Sequence, residues 1–205
     1  MPIVGNNLEI ARCPYCQIDR PNLALHNPFE TRDAMSGQVR LWGIYVCARC
    51  GGVVIASASQ LNQEAQEIYP LPLKVDEEIP STAKAYLEQA AASLHAPAGS
   101  VMLAASSVDA MLKAKGLVDG SLNSRINKAA GSHLITEDMA AWAHDIRLDA
   151  NDQRHADASS LLPSAEDARK CLDFAFALGQ FLFVLPARVS RGRAAASGTA
   201  PITSV

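Results

Sequence analysis

No positively charged leader precedes an apolar stretch at the start of this sequence, which reads Met1-Pro2-Ile3-Val4-Gly5-Asn6-Asn7, and no uninterrupted apolar run reaches the length a bilayer requires. The expectation is a soluble, cytoplasmic protein with no membrane partner. A basic excess is also missing. Residues 1–57 carry five Arg against four acids, residues 58–187 carry ten bases against seventeen acids, and the stretch from Arg188 onward adds three Arg and no acid. A broad phosphate-binding surface needs a basic face, so any nucleic-acid contact must be local. What the chain has is core: 205 residues at 49% hydrophobic content can bury enough surface for one or two small domains.

Cysteine is sparse, and its placement is informative. Four of the five fall in two pairs, Cys13-Pro14-Tyr15-Cys16 and Cys47-Ala48-Arg49-Cys50-Gly51. In a reducing compartment such pairs point to metal rather than to disulfides. Each C-x-x-C places two thiolates on one tight turn where backbone amides can face sulfur, and the second pair closes a tetrahedron. Four thiolates fill that shell, leaving no position for water or substrate, so the expected site is structural. Zinc is the expected ion; a rubredoxin-like iron and four ordinary buried thiols are the alternatives. No small-molecule cofactor is expected. The fifth cysteine, Cys171, reads as a small core hydrophobe.

Around the cysteines, Arg40 to Val46 reads as an aromatic and β-branched strand, and Gly51-Gly52 turns the chain into Val53-Val54-Ile55. Residues 1–57 therefore form a small β module. Residues 58–80 shift to Ser, Gln, Glu and Pro and read as a linker, with a short helix over Gln60 to Ile68 as an option and Tyr69-Pro70-Leu71-Pro72 extended. Residues 81–187 read as an all-helical bundle. Ser81 is placed to cap its first helix, Pro97 to end it, Gly116 to close the second, and Thr136 and the Ser164-x-x-Asp167 pattern to open later ones. The last helix, closed at Pro186, is apolar nearly all round from Leu172 to Leu185, which implies either a central helix or part of a dimer interface. Residues 188–205 read as a disordered tail. The fold class is thus α+β, with a β module ahead of an α bundle.

Polar residues that interrupt the bundle pattern gather at Ile146 to His155, where Arg147, Asn151 and His155 stand near an expected helix end. Asp109 lies on the apolar stripe of the second helix and calls for a cation, with Arg147 the expected partner. His26 reads as a loop residue. His95, His133 and His144 read as solvated side chains, and Trp142 as part of the bundle.

From about Ile68 to Pro186 the chain resembles the bacterial domain-of-unknown-function family 4145, related to the HEPN superfamily of helical domains. The resemblance rests on Tyr69-Pro70, on Leu103 to Gly116, on Ser121-Leu122 to Ile126, on Ile146-Arg147 through Asn151 to His155, and on Phe183-Val184-Leu185-Pro186. Members often carry a zinc knuckle in front, which implies a zinc ribbon at residues 1–57. The resemblance implies a HEPN-like bundle and a homodimer. Many HEPN proteins are metal-independent ribonucleases that use an Arg and a His a few residues apart across a dimer. Carried over, His155 would move a proton at the ribose 2'-hydroxyl or the leaving oxygen, and Arg147 would hold the charged phosphorane, with Asn151 and Asp109 beside them. Here the gap between Arg147 and His155 is wider than that pattern, Ser106 stands at the family's second-helix Arg, and Asp109 where Glu is common. The favoured expectation is therefore an accessory interaction module of a nucleic-acid-directed or defence system, with a protein or RNA partner. The alternative is an endoribonuclease.

Overall fold

The computed structural model describes residues 2–71, 74–145 and 162–197. The chain divides into two compact units, Met1–Lys74 and Val75–Val205.

The first unit is built on an antiparallel sheet. Its strands are β2 (Leu23–Arg32), β3 (Val39–Cys47), β4 (Val53–Ala58) and β6 (Glu67–Tyr69), in that spatial order, while β1 (Ile3–Val4) pairs with β5 (Gln63–Glu64). Strand β3 is central because period-two alternation gives it one buried face, Gly43, Tyr45 and Cys47, and one half-buried face, Trp42, Ile44 and Val46. Tyr45 is fully buried and donates its hydroxyl to the Gly5 carbonyl at 2.9 Å, so the core holds the N-terminal segment against the sheet. Val4, Leu8, Leu23, Val54 and Ala56 complete that core. The β2–β3 turn is closed by Asp33, whose carboxylate accepts from the amides of Met35, Gly37 and Gln38 at 3.0, 2.8 and 3.2 Å. His26, expected in a loop, falls within β2, where the pairing skips a residue between Leu25 and Asn27.

The stretch expected to be a linker is instead partly sheet. Gln63 and Glu64 pair with Val4 and Ile3, and Glu67 to Tyr69 pair with Ser57 to Ile55. No helix forms over Gln60 to Ile68. These two strands are short and mostly exposed or half-buried, so their polar composition masks strand character.

The second unit is helical: α1 (Ser81–Ala92), α2 (Pro97–Ala114), α3 (Leu122–Gly131), α4 (residues 137–145) and α5 (Ala165–Gly179), which runs through a π-helical turn (Gln180–Val184) into α6 (Leu185–Ala196). Small residues let α1 and α2 approach closely. Ser100 Oγ and Ser107 Oγ, both buried, donate to the Ala90 and Ala83 carbonyls at 2.8 Å, which meets the cost of burying a hydroxyl. Leu87, Val101, Val108, Met111, Phe174 and Leu178 are among the side chains that fill the core, with Cys171 buried beside them. Trp142 and Phe174 meet edge to face, ring centroids 4.9 Å apart.

Several caps follow the sequence pattern. Gly116, at φ +89°, stands where the Leu117 amide reaches the Leu112 carbonyl and the Gly116 amide reaches Lys113, a Schellman closure of α2. Thr136 Oγ1 accepts from the Met139 amide, and Ser164 and Asp167 form a reciprocal capping box. Others differ. Ser81 is the first helical residue of α1 and makes no cap; Pro80 precedes it. Pro186 does not end the last helix. The π turn just before it lets the Leu185 amide reach back to the Gln180 carbonyl, so the chain accommodates a residue without an amide hydrogen and continues to Ala196. Residues 188–197 are therefore not a disordered tail; Arg191 Nη1 is paired with Glu78. Nor is the last helix buried on every side: Phe181, Leu185 and Val189 are 40%, 49% and 52% exposed. By length and composition alone, the continuous helix Ala165–Ala196 could cross a membrane, although its Phe174, Ala175, Leu178 and Leu182 belong to the core.

Candidate metal centre

Two turns with the same backbone pattern carry the four cysteines. In the first, the Cys13 amide donates to the Ile18 carbonyl and the Gln17 amide to the Cys13 carbonyl. In the second, Cys47 donates to Gly52 and Gly51 to Cys47. The residue four places after each leading cysteine takes a positive φ, +55° at Gln17 and +71° at Gly51. The second turn uses the residue suited to that conformation. In the first, the Gln17 side chain donates to the Pro14 carbonyl at 3.2 Å, and Arg12 Nη1 holds the Gln17 carbonyl at 3.0 Å.

The turns meet through Tyr15 as well as through sulfur. Its hydroxyl donates to the Val53 carbonyl at 2.9 Å, and its ring lies so close to Gly52 that a Cβ there would sit 2.4 Å from the ring. Neither Tyr15 nor Gln17 stood out in the sequence. The signal is the residue after each second cysteine, Gln17 and Gly51: glycine takes a positive φ freely, whereas a glutamine there needs local support.

The Sγ atoms of Cys13, Cys16, Cys47 and Cys50 all lie within 4.8 Å of one another. A tetrahedral ion with Zn–S bonds near 2.3 Å would set its sulfurs about 3.8 Å apart; Cys13 Sγ and Cys50 Sγ stand 3.8 Å apart. All four are free thiols. The group could hold one metal ion and is compatible with zinc without identifying it. Cys13 and Cys47 are buried, Cys16 is half-buried and Cys50 is exposed. Burial raises the Cys13 thiol; at Cys50, whose residue is exposed, desolvation of the sulfur itself and the Cys16, Cys47 and Cys13 sulfurs around it raise the thiol. At Cys47 burial opposes ionisation, but amides of Cys50 and Arg49 and the Cys50 and Cys13 thiols bring it down to about 7.

The helical residues singled out in the sequence fare differently. Asp109 is on α2 and does have a cation, which is Arg125 of α3: Arg125 Nε donates to Asp109 Oδ1 at 2.9 Å, and Nη2 reaches the same oxygen. Lys113 Nζ contacts Asp109 Oδ2 at 2.6 Å. The expected partner, Arg147, falls outside the described residues. Arg125 is buried and also donates from Nη1 to the Val118 and Gly120 carbonyls, so it fastens the α2–α3 connection to both helices. It was legible as an Arg on the buried stripe of α3 beside Ile126 and Ala129. Arg147, Asn151 and His155 lie outside the described residues. His144 shares a hydrogen bond with Asn127 at 2.9 Å.

No curated protein and no solved structure matches the chain. The family described as Domain of unknown function (DUF4145) matches residues 88–195, from within α1 to the last turn of α6. That match covers more than half of the sequence and most of the helical unit, and the chain belongs to the DUF4145 family.

Proposed function

We propose that this protein is a zinc-stabilised, HEPN-like interaction module, an accessory component of a bacterial nucleic-acid-directed or defence system, cytoplasmic and dimeric through its helical bundle. The observation that carries the reading is the closed set of four sulfurs. Cys13, Cys16, Cys47 and Cys50 would each give one thiolate, and zinc so held would stabilise the zinc ribbon without activating water. The rest of the ribbon's contribution is presentation of a small sheet to a partner. Measured on purified protein, zinc at one ion per chain is expected. A protein partner or RNA recovered with the full chain should be lost when the ribbon is destabilised by Cys47→Ser, and retention of every partner in that variant would remove the module reading.

A second reading, a metal-independent endoribonuclease using Arg147 and His155 across a dimer, has one observation in its favour. The structural role that pairing with Asp109 would have given Arg147 is already filled by Arg125 and Lys113. That reading expects RNA cleavage in the presence of EDTA, leaving 2',3'-cyclic phosphate ends and abolished by His155→Ala. Cleavage unchanged in His155→Ala would reject it.

A further inference from the structure

The two cysteine turns share a backbone pattern and differ in what supports it. The first carries its own side-chain support: Gln17 Nε2 donates to the Pro14 carbonyl at 3.2 Å, and Arg12 Nη1 to the Gln17 carbonyl at 3.0 Å. The second runs from Cys50 into Gly51 and Gly52, which bring no side chain to it. The side chain that reaches over it comes from the other turn, and it is Tyr15.

Tyr15 lands on the residue that serves both sulfur-bearing ends of the second turn. Gly52 donates its amide to Cys50 Sγ at 3.4 Å and accepts the Cys47 amide on its carbonyl at 2.9 Å. The Tyr15 ring lies against Gly52, and its hydroxyl donates to the Val53 carbonyl at 2.9 Å, which pins the next residue at the start of β4. A Cβ on Gly52 would stand 2.4, 2.7 and 3.0 Å from three ring carbons of Tyr15, the nearest atoms it would meet. Gly52 does not take the left-handed conformation, so the glycine here serves the close approach of the ring rather than the backbone angle.

Groups that orient metal ligands from outside matter to the ion nearly as much as the ligands do, and losing one typically lowers affinity by about 10–100-fold. Cys13 and Cys47 are buried, whereas Cys50 is exposed and stands next to the glycine pair. We infer that Tyr15 is a positioning residue for the metal centre: it holds the second cysteine turn closed on the first, and that turn, opening at Cys50, is where zinc is exchanged. The inference rests on the zinc reading proposed above and adds to it a route of exchange with a thiolate or nitrogen chelator. One bond from zinc to a donor atom of the chelator forms as the zinc–sulfur bond to Cys50 breaks, and the freed thiolate turns to solvent.

Zinc transfer from the full chain to an excess of a chromophoric pyridylazo chelator, followed as a first-order rate, tests this. Tyr15→Phe keeps the ring, loses the bond to Val53, and is expected to speed transfer about fivefold. Gly52→Ala keeps Tyr15 but displaces its ring, and should speed transfer roughly tenfold or more. In a Tyr15→Ala background the same Gly52→Ala change should add little, because the ring it displaces is gone. Tyr45→Phe, which loses a hydroxyl bond of the same length elsewhere in the first unit, should change the rate far less. With limiting iodoacetamide present during transfer, mass spectrometry should find Cys50 alkylated before Cys13 and Cys16. Transfer at the wild-type rate in Tyr15→Phe and Gly52→Ala, additive effects in the double variant, equal acceleration by Tyr45→Phe, or alkylation beginning at Cys13 or Cys16 would overturn the inference and leave the zinc reading standing. A purified chain without zinc would remove both. If Tyr15→Ala fails to fold, Tyr15→Phe against Tyr45→Phe decides.

Discussion

Gly51 and His133 show how one backbone angle can decide a local contribution. Gly51 sits at φ +71° in the second cysteine turn, with nothing within 4 Å of where a Cβ would stand. Gly51→Ala therefore tests conformation alone. It should cost about 1 kcal/mol, the usual penalty for an L side chain in the left-handed region, and weaken zinc binding severalfold in a competition titration with a chelator. An unchanged affinity would mean the turn is not needed for the site. His133 is the reverse case. It is exposed, takes φ +57°, and occupies the C-terminal position of α3 where the Leu134 amide reaches the Ala129 carbonyl and the His133 amide reaches Ala130. His133→Gly should stabilise the helical unit by about 0.5–1 kcal/mol, visible as a higher thermal midpoint. Gly131, the residue type that more often ends a helix, remains helical, and the chain tightens two residues later.

Elements in the helical unit are fastened at their ends, and two of those fastenings can be measured. Arg125 has an 8% exposed side chain and serves Asp109 and two carbonyls of the α2–α3 connection. Arg125→Ala would leave Asp109 with Lys113 alone and two carbonyls unmet, at a cost of about 2–3 kcal/mol in denaturant unfolding. Arg125→Lys should recover only part, since an ammonium lacks the fork that reaches all three acceptors. At the start of α5, the Ser164 hydroxyl and amide hold the Asp167 carboxyl below its ordinary value of 3.8. A depressed carboxyl contributes stability that is present above that ordinary value and lost as pH falls through the lower, folded one. An NMR titration should therefore place Asp167 below 3.8, and Ser164→Ala should move it upward; an unmoved titration would mean the box is not formed in solution. This capping box, the Gly116 closure and the Thr136 cap were legible because each depends on residues adjacent in sequence. The continuation past Pro186 was not, because a π turn leaves no compositional mark, and neither was the Asp109–Arg125 pair, because it joins residues sixteen apart on two different helices. Strands β5 and β6 were hidden for a related reason: what makes them strands is a partner elsewhere in the chain.

The two units differ in what holds them together, and that difference predicts how the protein comes apart. The helical unit has a contiguous core running from Val75 to Val184, whereas among the described residues the core of the first unit is ten buried residues, two of which are the candidate ligands Cys13 and Cys47. A core that small rarely suffices alone, so metal binding would supply much of its folding free energy. Chelation should then unfold the first unit and leave the second intact. The two tryptophans make this readable, because Trp42 lies in β3 and Trp142 in α4, one to each unit. With Trp142→Phe, the remaining fluorescence should shift to the red on addition of a strong chelator, as Trp42 loses its contacts with Phe29 and Tyr69. With Trp42→Phe, the fluorescence of Trp142 against Phe174 should hold, and the helical circular dichroism should fall little. Restoring zinc should reverse the first change. A chelator that melts both signals together would show that the units are not independent folding units, and one that moves neither would show that the four sulfurs do not carry an ion on which the first unit depends.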